Sequence, residues 1–98
     1  MSTAAPMLIN GVAGSQVPAL DRGLQYGDGL FETVRCEQGG LRWFGRHLAR
    51  LGAGCERLGI AMPDGALLRS EAAAVAAGMP RSLVKLIVTR GEARARGR

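Results

Sequence analysis

The 98-residue chain has one histidine, His47, one lysine, Lys85, and two cysteines, Cys36 and Cys55, and the surroundings of each limit its chemistry. A Ser-His-Asp relay would need His47, but Arg50 and Leu51, three and four positions on, offer no carboxylate to orient the ring. Lys85 lies among apolar residues in the middle of a strand-like run. A desolvated lysine of lowered pKa would suit Schiff-base chemistry with an aldehyde cofactor. The plainer reading is a stem packed on a sheet with its ammonium in water. The cysteines sit nineteen apart, with no CxxC and no Cys/His pair at zinc spacing, so no metal site is expected. Each falls inside an apolar pattern and reads as a small buried hydrophobe. Asp28 and Glu32 are an imaginable pair for glycoside hydrolysis, yet their spacing sets no separation, and Asp28 between two glycines has the character of a turn former. There is no Walker loop and no GxGxxG.

Anion binding is better served. His47, Arg50, Gly54 and Arg57 fall along one stripe of a helical pattern, beside the apolar stripe Leu48, Leu51, Cys55, Leu58. Arg50 stands at the border of the two faces. There its rigid fork can grip a phosphate in a cleft, or it can be an ordinary solvated arginine. Arg90 closes the strongest strand pattern, just before Gly91, where a ligand contact and a capping salt bridge are both open readings.

These side chains must be positioned by regular elements. Met7 to Gly11 reads as a short strand ended by an Asn10-Gly11 turn, with a second strand near Val12. Residues 21–29, with three glycines and two aspartates, read as a shaped loop. Leu30 to Cys36 alternates like a strand, Glu37 to Gly40 turns, and Leu41 to Phe44 returns. A helix is expected over 45–59, although Gly52 and Gly54 weaken it and call for close packing against a neighbour or ligand. Asp64 caps a second helix running to Gly78. Leu83 to Thr89 is continuous and β-branched, and reads as a strand covered on both faces. The order predicts an α+β fold with an antiparallel or mixed sheet and two helices packed on one face.

Composition agrees with one small domain. Apolar residues make up 47% and charged residues 21%, which argues against wholesale disorder. No apolar run is long enough to span a bilayer, and Met1 to Met7 lacks the basic start and apolar stretch of a secretory signal, so a cytoplasmic location is expected. The net charge is +5, and the last nine residues carry +3 of it. Arginine outnumbers lysine twelve to one, a bias that a G+C-rich genome produces without functional cause. A basic nucleic-acid-binding module is the sharper alternative, but only Tyr26, Trp43 and two phenylalanines are present to stack on bases.

Four ordered segments carry a resemblance to a known family. They are Leu8-Ile9-Asn10-Gly11, the run from Asp21 through Tyr26-Gly27-Asp28-Gly29-Leu30-Phe31-Glu32 to Arg35, His47-Leu48-Ala49-Arg50-Leu51, and Lys85 through Arg90-Gly91. Together they resemble the N-terminal small domain of fold-type IV pyridoxal-phosphate enzymes, and most of all the aminodeoxychorismate lyases. The resemblance implies a PLP-dependent carbon–carbon lyase that splits 4-amino-4-deoxychorismate into 4-aminobenzoate and pyruvate for folate synthesis. It implies that Arg50, in the His-x-x-Arg-Leu motif, binds the cofactor phosphate. Tyr26, Phe31 and Arg90 would lie in the substrate pocket.

Within the family, Phe31 stands where D-amino acid aminotransferases carry a carboxylate-binding tyrosine, and an apolar ring cannot replace that hydroxyl. Glu32-Thr33 replaces the Glu-Gly usual in branched-chain aminotransferases. Arg96-Gly97 fits the lyase pattern, whereas Arg98 stands where a tyrosine is expected. A branched-chain or D-amino acid aminotransferase of the same fold is the alternative. The family's Schiff-base lysine and the glutamate that meets the pyridine nitrogen belong to a second domain, and Lys85 aligns with a different, strand lysine. Residues 1–98 are therefore expected to be the small domain alone, inactive without the catalytic lysine. The whole enzyme would be a homodimer with the cofactor between its domains.

Overall fold

The computed structural model describes residues 6–92. The chain starts with a miniature hairpin, β1 (Leu8–Ile9) and β2 (Val12–Ala13). Asn10 and Gly11 turn between them with φ of +53° and +81°, as the Asn-Gly pair predicts. Residues 22–26 were expected to be loop but form one helical turn, α1 (Arg22–Tyr26). Its N-cap is Asp21, whose carboxylate accepts from the backbone N–H of Gly23 and Leu24, and Gly27 ends it at φ +68°. Cap chemistry at both ends outweighs the glycine content between them.

Two nine-residue strands form the frame. β3 (Gly29–Glu37) pairs antiparallel along its whole length with β5 (Arg81–Thr89), from Gly29 opposite Thr89 to Glu37 opposite Arg81. A tight turn with positive φ at Gln38 and Gly39 leads into β4 (Gly40–Leu41). The expected return strand to Phe44 is cut short. Trp43 adopts φ +53°, which ends the extension, and α2 (Phe44–Leu58) begins at once. After Pro63 comes α3 (Gly65–Ala76). Asp64 occupies its N-cap position, although its side chain caps no N–H. The sheet order is β4-β3-β5, all antiparallel.

Both long helices cover one face of this sheet. Val34, Cys36, Val84, Leu86 and Val88 point inward and pack with Phe44, Leu51 and Cys55 of α2 and Ala72 and Ala76 of α3. The two cysteines are buried free thiols, as expected, and burial pushes the Cys55 thiol up. Among the described residues nothing packs across the other face. Leu83 and Ile87 are 69% and 64% exposed, so β5 is not covered on both faces. Its unbroken apolar run reflects β-branched preference on an open face as well as burial. Gly54 has the close neighbour its position called for: a Cβ there would collide with the Leu30 side chain. Gly52 has no comparable crowding.

Candidate functional site: an arginine-lined cleft on a buried carboxylate

The strand period puts Glu32 on the inner face of β3, between Leu30 and Val34, where it is only 8% exposed. A buried carboxylate needs partners, and α2 supplies two. Arg50 donates from Nε to Oε2 at 3.0 Å and from Nη2 to Oε1 at 2.9 Å. His47 Nδ1 lies 2.7 Å from Oε1. The hydrogen bonds from Arg50 are the main reason that the Glu32 carboxyl is held below its ordinary range; desolvation opposes them and His47 assists. The carboxylate missing three and four positions on from His47 thus comes from a strand fifteen residues upstream. Only its odd placement at a core position in the alternation marked Glu32 in the sequence.

Beside this cluster opens a cleft of about 560 Å³, lined by Thr33 and Arg35 of β3, by Arg42 and Trp43, and by Arg46, His47 and Arg50 of α2. The guanidinium groups of Arg42 and Arg46 stand 5.2 and 5.5 Å from the Trp43 ring. No carboxylate is among the lining residues. The Arg50 side chain is 73% exposed, so the edge not used by Glu32 faces open space. Four arginines give this cleft a cationic lining suited to an anion.

A second carboxylate, Asp28, lies in a separate cluster. It accepts from Arg22 Nε at 2.9 Å and from Arg90 Nε at 2.7 Å. Those bonds, Arg90's first and Arg22's second, hold its carboxyl below the usual range. Asp28 and Glu32 are therefore two arginine-neutralised carboxylates and not a catalytic pair. Arg90 also donates from Nη2 to the carbonyl of Leu58 at 2.7 Å, which ties the end of β5 to the last turn of α2. Of the four expected site residues, only Arg50 lines the cleft. Phe31 shares the outer face of β3 with Thr33 and Arg35, and Lys85 Nζ sits 4.5 Å from its ring centroid. Tyr26 is exposed at the end of α1, under the Arg22 guanidinium at 4.6 Å. Arg90 does not line this cleft; its guanidinium is engaged by Asp28 and the Leu58 carbonyl. The Arg96-Gly97 motif lies outside the described residues.

Comparison with known proteins places this arrangement. Residues 29–97 match the amino-transferase class IV family. The chain belongs to that family. It superposes on 4-amino-4-deoxychorismate lyase from Pseudomonas aeruginosa with a TM-score of 0.75 and 49% identity, over 85% of this chain and 30% of that one. The class IV likeness extends to the fold IV-transaminase CpuTA1 from Curtobacterium pusillum, with a TM-score of 0.74 and 34% identity over 87% of this chain and 31% of that one. An aminodeoxychorismate lyase of Vibrio harveyi is 39% identical over 56 residues, 57% of this chain and 21% of its own length. The chain thus spans less than a third of each of these relatives, and its α+β architecture is that of the N-terminal domain of fold-type IV enzymes. A hypothetical aminotransferase from Mycobacterium tuberculosis, 28% identical with a TM-score of 0.66, is known in a PLP-bound form. The class IV family and this neighbour imply PLP as the cofactor.

The cleft fits the phosphate end of that cofactor: it has cationic forks, hydroxyl and imidazole donors, and no lining carboxylate. It holds no amine for the aldehyde end. The chain's only lysine, Lys85, projects from β5 toward Phe31, outside the lining. No helix among the described residues is long and apolar enough to cross a membrane, and no group of three potential metal ligands occurs among them.

Proposed function

We propose that residues 1–98 form the small-domain wall of a PLP-dependent aminodeoxychorismate lyase, which converts 4-amino-4-deoxychorismate into 4-aminobenzoate and pyruvate in folate synthesis. The observation that carries this reading is the free edge of Arg50, held by a buried glutamate over a cleft without acidic lining, in a chain 49% identical to a lyase over most of its length. Arg50 would hold the cofactor phosphate, and Thr33 and His47 would complete its surroundings. When bound, PLP supplies an electron sink for the carbanion chemistry of the amino substrate. The residues of this chain bind and orient. Phe31 presents an apolar ring toward the side from which substrate would approach and offers no hydrogen bond to a carboxylate. Arg90 holds the β5–α2 corner in shape, and Tyr26 would reach the pocket from the rim. The anchoring lysine would come from the rest of the enzyme, since Lys85 lies outside the cleft. The whole enzyme is proposed to be a cytoplasmic homodimer acting on a small molecule.

The test uses the whole enzyme with 4-amino-4-deoxychorismate. Pyruvate release with no amino acceptor is expected. A requirement for a 2-oxo acid would instead favour an aminotransferase, a reading supported by the likeness to the Curtobacterium transaminase. Borohydride reduction in the presence of PLP should label a lysine beyond residue 98, and label on Lys85 would overturn the assignment.

A further inference from the structure

We propose that Glu32 is the positioning residue of the anion cleft: its buried carboxylate takes one edge of the Arg50 guanidinium and one nitrogen of His47, leaving a single end-on pair of N–H donors for a phosphate monoester. This rests on the reading of Arg50 as the phosphate anchor.

A guanidinium carries five N–H groups in one plane. Glu32 accepts two of them side-on, at Nε and Nη2. Three remain, both of those on Nη1 and one on Nη2. Of these, one from each nitrogen run parallel and form the end-on fork. That fork is the only bidentate edge Arg50 has left for a ligand. The same Oε1 that accepts from Nη2 lies 2.7 Å from His47 Nδ1, so one carboxylate fixes two side chains of the cleft wall. The exposures run in opposite directions: the Glu32 side chain is shielded at 8%, and that of Arg50 is open at 73%. A buried anchor with an exposed working end is the arrangement of a pre-oriented donor.

The neighbouring arginines lack this support. Arg42 reaches Glu37 only at 3.4 Å, between two exposed side chains. Among the described residues, Arg35 and Arg46 make no ion pair within 4.0 Å. They raise the local concentration of any anion. Orientation, and so selection of a phosphate, is left to Arg50 and its carboxylate. An apolar residue would satisfy the core position of Glu32 at lower cost, because a carboxylate there must be desolvated.

The experiment uses the whole enzyme in its apo form with pyridoxine 5′-phosphate and pyridoxine. Neither has an aldehyde, so neither can react with a lysine. Affinity and the arginine Nε–H signals are followed by ¹H–¹⁵N NMR. In the wild type, the Arg50 Nε–H should exchange with water more slowly than those of Arg35 and Arg46, and pyridoxine 5′-phosphate should bind at least tenfold tighter than pyridoxine. E32Q keeps the shape but loses the charge. It should lose roughly tenfold of that preference, the equivalent of one charge-assisted hydrogen bond, and should speed Arg50 Nε–H exchange. R50K keeps the charge but not the fork, and should abolish the preference. If R50K leaves the preference intact, the phosphate-anchor reading itself fails. If R50K abolishes it while E32Q changes it less than twofold, the anchor stands and the positioning role of Glu32 is overturned. Should E32Q not fold, the wild-type signal decides: an Arg50 Nε–H that exchanges as fast as those of Arg35 and Arg46 overturns the proposal.

Discussion

Gly29→Ala isolates a single physical cause. Gly29 starts β3 opposite Thr89, and its φ is not in the left-handed region, so alanine is permitted by the backbone. Space is the obstacle. A Cβ would stand 2.5 Å from the Val88 carbonyl oxygen and 3.0 Å from the Thr89 Cα, both backbone atoms of the partner strand. A rotamer change cannot relieve that contact, so the strands must part by roughly half an ångström or more. Parting lengthens one or two ladder hydrogen bonds, each contributing about 0.5–1.5 kcal/mol. It also disturbs the Arg90–Asp28 clamp one residue away. The expected cost is about 1–3 kcal/mol, in the range of other overpacked sites. With a urea m-value on the order of 1 kcal/mol/M, the unfolding midpoint should fall by about 1–3 M. Gly45→Ala is the control. Apart from its chain neighbours and the helix's own backbone, no heavy atom lies within 4 Å of its added Cβ, and it sits in the first turn of α2. Alanine there should gain about 0.5–1 kcal/mol from helix preference. A Gly29→Ala midpoint equal to or above wild type would refute the crowding argument, and a shared response of both variants would show that glycine entropy alone governs them.

Leu51 is fully buried between α2 and the sheet, and Leu51→Ala should cost about 2–5 kcal/mol in chemical denaturation, a loss below 1 kcal/mol meaning that the core collapses around the gap. Acid should weaken the fold in a defined window. The Asp28 and Glu32 carboxyls are held below their ordinary values of 3.8 and 4.5, so the native state binds fewer protons than the unfolded chain. Their contribution is present above pH 4.5 and is lost as pH falls through the lower folded values, so a denaturation midpoint flat down to pH 3 would contradict it. Arg90→Ala removes the donor to the Leu58 carbonyl, and faster amide exchange is expected in the last turn of α2 with β3–β5 pairing unchanged. Equal exchange in Arg90→Ala and the wild type would remove the clamp from the account.

Local elements were legible in the residues because local rules govern them. The Asn10-Gly11 turn, the alternation of β3, the apolar stripe of α2 and the glycine after α3 each report a backbone preference or a period that acts within a few residues. Where such rules compete, composition does not reveal which one wins. Asp21 capping and the Gly27 terminator wind α1 out of a segment that composition marks as loop. β4 ends at Leu41, the first residue of the expected strand, and Trp43 in the left-handed region turns the chain into α2. For the site, the border position of Arg50 on its helix was readable, but its carboxylate partner was not.

Residue types and periodicity, then, determined by themselves the two long strands, the two long helices, the burial of both cysteines and the anion-binding potential of the α2 stripe. Only the tertiary structure decided which charges meet. Glu32 lies 15 and 18 residues from His47 and Arg50, and Asp28 lies 62 residues from Arg90. Those meetings depend on the β3–β5 register and on where α2 settles on the sheet. A one-residue slip of register would turn every side chain of a strand to the other face, and Glu32 to water. No local pattern encodes that choice, because it is set by packing the whole core at once.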